Sequence, residues 1–235
     1  MQIHFATLDD CAEAAGAVVV IDVCRAFTTA AYALHAGAER ILLAGTVEEA
    51  LALREQNTGS LVMGEVNGLP VPGFDLWNSP DELSRLDLRG KTVIQRTSAG
   101  TQGVVRSVRA GQIFAASFVV AGATARAAQA LNPASVTFVV TGTRAHDPRL
   151  GLEDRACGEY IAALLRGETP HPARYLSWLE DFIAVHHLKD PGRPAALRAQ
   201  FLADVELCRR IDDFDWALPV ARENGNLVMR RAPSG

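Results

Sequence analysis

The sequence predicts an α/β fold, with a largely parallel or mixed sheet flanked by helices in three layers and a C-terminal helical and short-strand extension. Two observations carry this. Apolar, β-branched runs alternate with alanine-rich stretches over the first 167 residues, as in strand–helix–strand units. Two runs, Val18-Val19-Val20-Ile21 and residues 136–140, are continuous rather than alternating, as expected of strands buried on both faces.

In chain order, strands are expected at 17–23, 40–44, 61–64, 92–95, 112–115 and 136–141. Helices are expected between and after them, at 28–36, 47–56, 102–109, 120–131 and 153–166. Beyond Gly167 the pattern changes to two amphipathic helices separated by a Pro/Gly-rich break. "LPVARENGNLVMRR" then predicts two short strands around the turn-forming Asn224-Gly225-Asn226. Residues 1–167 are therefore taken as the α/β core carrying the site, and 168–235 as an extension packed on that core. Sites in such folds collect at the carboxyl ends of strands.

Composition narrows the function. The chain has 235 residues, 49% hydrophobic and 21% charged, enough for one large α/β domain. A net charge of -4 without a basic arm argues against nucleic acid as a partner. No apolar run approaches the ~20 residues needed to cross a bilayer. The first residues, MQIHFATLDD, lack a basic and then apolar leader, and the four cysteines form no CxxC pair. A cytoplasmic protein with reduced thiols is expected, with no membrane or nucleic-acid partner; homo-oligomer formation stays open.

Four stretches carry candidate chemistry. In "IDVCRAFTT", Asp22 ends a buried strand and Arg25, Thr28 and Thr29 follow at a helix start. The carboxylate suits a hard cation, and the arginine and hydroxyls suit phosphate oxygens beside a helix N-terminus. An Asp22–Arg25 ion pair with Thr28 as a cap is the structural alternative. Glu65 ends the strand at 61–64, and the loop "GFDLWNSP" adds Asp75 and Asn78, either as binding groups or as a turn before a helix. "QRTSAGT" places Thr97, Ser98, Gly100 and Thr101 between strand and helix, suited to an anion cradle or to helix capping, without the lysine of a nucleotide loop. "GLEDRACG" opens a helix with Glu153 and Asp154, which the helix dipole favours in any case. The polar lead-in "TGTRAHDPRLG" would bring them to the edge that holds Asp22 and Glu65. Carboxylates gathered there would repel unless a cation held them, and magnesium suits such oxygen ligands.

Taken together and in this order, these stretches resemble the 2-phosphosulfolactate phosphatase family, magnesium-dependent enzymes of coenzyme M biosynthesis. The family's "IDVLRATTT", "GE", "FDLGNSP", "TTNGT" and "LEDxxCAG" appear here as "IDVCRAFTT", "GEVNG", "FDLWNSP", "RTSAGT" and "LEDRACG". Cys24, Phe27, Val66-Asn67 and Ser98-Ala99 depart from the pattern at positions that can line the pocket.

The resemblance implies Mg²⁺-dependent hydrolysis of a small phosphorylated acid, with Asp22, Arg25 and Glu65 catalytic. Asp22, Glu65, Glu153 and Asp154 would be metal or metal-water ligands. Thr28, Thr29, Asp75, Asn78, Thr97, Ser98, Gly100 and Thr101 would bind substrate. Asp22 serves equally as nucleophile or ligand, and Cys24 is the other nucleophile candidate, since a nearby arginine lowers a thiol's pKa. The alternatives are a hydrolase of a different small acidic ester, or a non-catalytic anion-binding or regulatory protein. The catalytic expectation requires Asp22, Glu65, Asp75, residues 97–101, Glu153 and Asp154 to share one pocket.

Overall fold

The computed structural model describes residues 1–143, 150–189 and 194–233, the side chains of 185–189 and 233 excepted. In chain order the elements are β1 (Gln2–Ala6), β2 (Gly16–Ile21), α1 (Ala26–His35), β3 (Arg40–Leu43), α2 (Val47–Gln56) and β4 (Leu61–Gly64). There follow β5 (Leu76–Trp77), α3 (Pro80–Leu83), β6 (Thr92–Arg96), α4 (Gly100–Arg106), β7 (Ala110–Ala116) and α5 (Ala121–Ala130). The remainder comprises β8 (Ser135–Val140), α6 (Leu152–Leu165), α7 (Pro172–Lys189), α8 (Ala195–Cys208), β9 (Trp216–Glu223), β10 (Asn226–Met229) and β11 (Ala232–Pro233). The α/β class is as expected. The first predicted strand stops at Ile21 rather than 23, so Asp22 stands just outside the sheet; α1 and α4 each begin two residues earlier than predicted.

The strands form one mixed sheet in the order β1-β8-β2-β7-β9-β10-β3-β6-β4-β5, with β11 on β9. It consists of two parallel blocks, β1-β8-β2-β7 and β3-β6-β4-β5. The turn expected at Asn224-Gly225-Asn226 does join a hairpin, β9–β10, and that hairpin lies inside the sheet between the blocks. Residues beyond 168 thus contribute interior strands. The hairpin's internal pairing and its pairings with β7 and β3 are all antiparallel, which makes the two blocks run in opposite senses. Strand direction alone therefore does not bring Asp22, Glu65 and Asp154 to one edge, as the expected common pocket assumes.

The carboxyl ends meet nonetheless. β2 and β6 are five positions apart, about 24 Å along a flat sheet, and the usual twist accumulates over those steps to roughly 100–125°. The loop after β6 nevertheless touches Asp22, so the sheet curls until the corners of the two blocks face each other. Helix α1 fills the concavity, with every residue from Ala26 to Leu34 buried. Alternation along the strands builds the layers. Val18, Val20, Ile41, Leu43 and Val93 face α1, whereas Val19, Ile21, Phe114 and Phe138 face α5 and α6. Leu42, Val62 and Ile94 pack under α2 on the outer face. Among the described residues, no helix is long and apolar enough to cross a membrane.

Candidate active site

Asp22 leaves β2 and turns back onto the start of α1, its Oδ1 accepting the Ala26 N–H at 2.9 Å and its backbone carbonyl accepting from Phe27. The Gly100 N–H, at the start of α4, donates to the same carboxylate. Two helix N-termini therefore converge on one charge, which their dipoles favour. Gly100 is needed for space: a Cβ there would sit 2.6 Å from Ala26 Cβ and 2.8 Å from Asp22 Oδ2. Burial outweighs the donors and, with Glu65 nearby, raises the Asp22 carboxyl from 3.8 to about 6.

Asp154, in the first turn of α6, accepts the Val23 N–H on Oδ1 and the Gly142 N–H on Oδ2, both at 2.8 Å. It staples the loop after β2 to the loop after β8. Burial, then the Asp22 charge, raises it to about 8. Glu153 is also enclosed, and its Oε2 has no partner. Burial and the adjacent Asp154, with Asp22 behind it, hold the Glu153 carboxyl well above its ordinary value. The three acids line a cavity of about 250 Å³ walled by Cys24, Ala99, Gly142, Leu150, Gly151 and Phe182. No basic side chain is among its described lining residues.

Glu65 is near enough to act on Asp22 electrostatically, but its oxygens serve the backbone. Oε1 accepts the Ser98 N–H at 2.5 Å, and Oε2 accepts the Gly68 N–H at 2.5 Å and the Ser98 hydroxyl at 3.1 Å. Thr97 and Thr101 close on each other, each N–H donating to the other's hydroxyl. The Thr97 hydroxyl thus takes up one amide of the first turn of α4, but neither Ser98 nor Thr101 caps the helix: the cap residue is Ala99, with no side-chain cap. Thr28 donates to the Val23 carbonyl, and the hydroxyl of Thr29 is buried without a partner.

Asp75 does not join the group. Its Oδ2 accepts the Val62 N–H at 2.8 Å, near the start of β4, with Arg54 at 3.8 Å. The reason is the short strand β5, which runs parallel to β4: the residue before β5 lies at the amino end, and Glu65 at the carboxyl end. Asn78, just after β5, is buried with Oδ1 unpartnered.

Arg25 does not line the cavity either. Its guanidinium lies over Trp77, 4.5 Å from the ring centroid, and Phe201, at 5.7 Å, and pairs with Asp204 of α8. The structural alternative foresaw a buried ion pair, but with Asp22 as partner. Asp204 was not anticipated. The available signal was an acid on the same helical face as Phe201, Val205 and Cys208, where only apolar residues are expected. Cys24 lacks the electropositive setting of a nucleophilic thiol. Contact with the Cys208 thiol, then burial and the neighbouring acids, pushes its pKa well up.

A cation in the cavity would meet the unpartnered Oε2 of Glu153, whereas the Asp22 and Asp154 carboxylates, each already accepting two backbone N–H groups, would offer their remaining lone pairs. These oxygens are hard donors, uncompensated by any described lining cation. Among the described residues, no three His, Cys, Asp or Glu side chains are grouped to hold a metal. Magnesium commonly takes only one or two protein carboxylates and fills its shell with water and phosphate, so the residues present fit it. Residues 144–149 of the lead-in to α6 lie outside the described residues.

Comparison with known proteins agrees with the motif order. The family model described as 2-phosphosulpholactate phosphatase matches residues 4–223. A "Probable 2-phosphosulfolactate phosphatase" of Carboxydothermus hydrogenoformans is 35% identical over 219 residues, 91% of this chain and 90% of that protein. One from Thermus thermophilus is 38% identical over 231 residues, 92% of each. One from Deinococcus radiodurans is 43% identical over 151 residues, 62% of each. With the match running from β1 to the end of β9, the chain belongs to the 2-phosphosulfolactate phosphatase family.

Proposed function

We propose that this protein is a phosphatase that hydrolyses a small phosphorylated acid, 2-phosphosulfolactate being the ester named for its relatives, with Mg²⁺ as cofactor. The observation that carries this is the cavity lined by three enclosed carboxylates and no described basic side chain. Burying that much like charge is costly without a cation. An anion-binding protein would gain nothing from it, which disfavours the non-catalytic alternative.

Asp22 and Glu153 would hold the ion. Bound Mg²⁺ supplies positive charge against the phosphoryl oxygens and the developing charge of the transition state. The amino end of α6, which reaches the cavity at Gly151, favours the same oxygens through its dipole. Asp154 and Glu65 act on the frame, each fixing two loops through backbone N–H groups. Phe182 and Leu150 wall the cavity with apolar surface that limits water. Hydrolysis then breaks the ester P–O bond, water adding to phosphorus and the alcohol leaving with a proton.

The test is release of inorganic phosphate from a panel of small phosphorylated hydroxy acids, with Mg²⁺ and after dialysis against EDTA. Release with Mg²⁺ and its loss in EDTA are expected. Full turnover in EDTA would remove the metal from the proposal, and no release from any ester would remove the phosphatase. Asp75→Asn is the control: it weakens the tie to Val62 and is expected to cost about 1 kcal/mol in urea melts, with kcat unchanged.

A further inference from the structure

We infer that Asp204 is a positioning residue for this site, acting through Arg25 on Asp22. Its two oxygens divide their work. Oδ2 pairs with Arg25 of the β2–α1 loop, while Oδ1 accepts the Ser79 hydroxyl at 2.5 Å and the Asp81 N–H at 3.2 Å at the start of α3. Gln200, one turn earlier on α8, donates to Ser79 Oγ and Asp81 Oδ2, each at 3.0 Å. Asp204 has no exposed surface and Arg25 only 5%, so neither charge has water to fall back on.

The consequence follows from chain connectivity. Arg25 directly precedes Ala26, whose N–H holds Asp22 Oδ1. With its guanidinium fixed between Trp77, Phe201 and Asp204, the three residues between Asp22 and Ala26 cannot shift, and the cavity wall at Cys24 is set with them. Ser79, the cap of α3, thereby serves as the far anchor of this clamp.

The inference rests on the phosphatase proposal only for its kinetic arm. Asp204→Asn preserves size and one acceptor but leaves Arg25 without its counter-charge. kcat is expected to fall about 10–100-fold, with KM nearly unchanged, because substrate contacts stay in place while Asp22 is displaced. In ¹H–¹⁵N spectra, the signals of Ala26 and Gly100, the two backbone N–H donors to Asp22, are expected to move. A purely structural role would confine changes to α8 and α3. Asp204→Glu keeps the charge and is expected to recover part of the lost kcat; it also serves if the asparagine variant does not fold. Wild-type kcat in Asp204→Asn, or unmoved Ala26 and Gly100 signals, would overturn the inference. If the wild-type protein releases no phosphate at all, the phosphatase proposal fails and the amide comparison alone decides this one.

Discussion

Gly100→Ala is expected to cut phosphate release about 100-fold, the scale of a 1 Å misplacement in a catalytic group. The added methyl must enter a space already held by Ala26 Cβ and Asp22 Oδ2. Neither can retreat easily, since Ala26 is fully buried in the helix at the centre of the curl and Asp22 is fastened to it. The start of α4 must move outward instead, and Asp22 loses the Gly100 donor. Overpacking of this kind costs about 1–3 kcal/mol, or about 2–4 °C in Tm per kcal/mol for a chain of this size. Thermal melts and phosphate release on the same preparation check both effects. Wild-type turnover in this variant would show that the contact between the two blocks is irrelevant to the chemistry.

Glu153→Gln is expected to move stability and activity in opposite directions. Asp22 and Asp154 are raised from 3.8 to about 6 and about 8, and Glu153 is also held well above its ordinary value. A carboxyl raised in the folded state contributes its full stability below the unfolded pKa and loses it as pH rises through the folded one. Without metal, these groups should make the protein progressively less stable from about pH 4 to about pH 8. Removing the Glu153 charge relieves part of that, so metal-free Tm at pH 8 should rise. Phosphate release should fall by about 100-fold or more, beyond the 10–100-fold typical of losing an outer partner of a metal ligand. The increase in Tm produced by Mg²⁺ should shrink as well. A variant with wild-type activity and an unchanged Mg²⁺ response would dismiss Glu153 as a ligand.

The interior strands were legible because burial on both faces leaves an unbroken apolar run, as in Val18-Val19-Val20-Ile21. β1 was not, because Gln2 and His4 interrupt an edge strand that has only one neighbour, β8. The C-terminal turn was legible from its asparagines and glycine. The place of its hairpin in the sheet was not, because strand order is set by pairings between residues far apart in sequence. In the site, Asp22, Glu153 and Asp154 were found from strand and helix ends and do line one cavity. Asp75 was misjudged because a two-residue strand carries too little pattern to reveal its register. Asp204 was overlooked because its meaning depends on Arg25, 179 positions away.

The hairpin between the blocks also orders events during synthesis. Asp22 and Asp154 belong to the block containing β2 and β8, while Glu65 and Gly100 belong to the one containing β4 and β6. Both blocks leave the ribosome before the two strands that join them. A nascent chain arrested ahead of residue 216 could pair each block internally, yet its edges at β7 and β3 would stay open. The corner where Asp22 meets Gly100 would form only after the hairpin emerged and zipped both edges together. Such late, long-range closure slows folding and lengthens the time that unpaired edges are exposed to other chains.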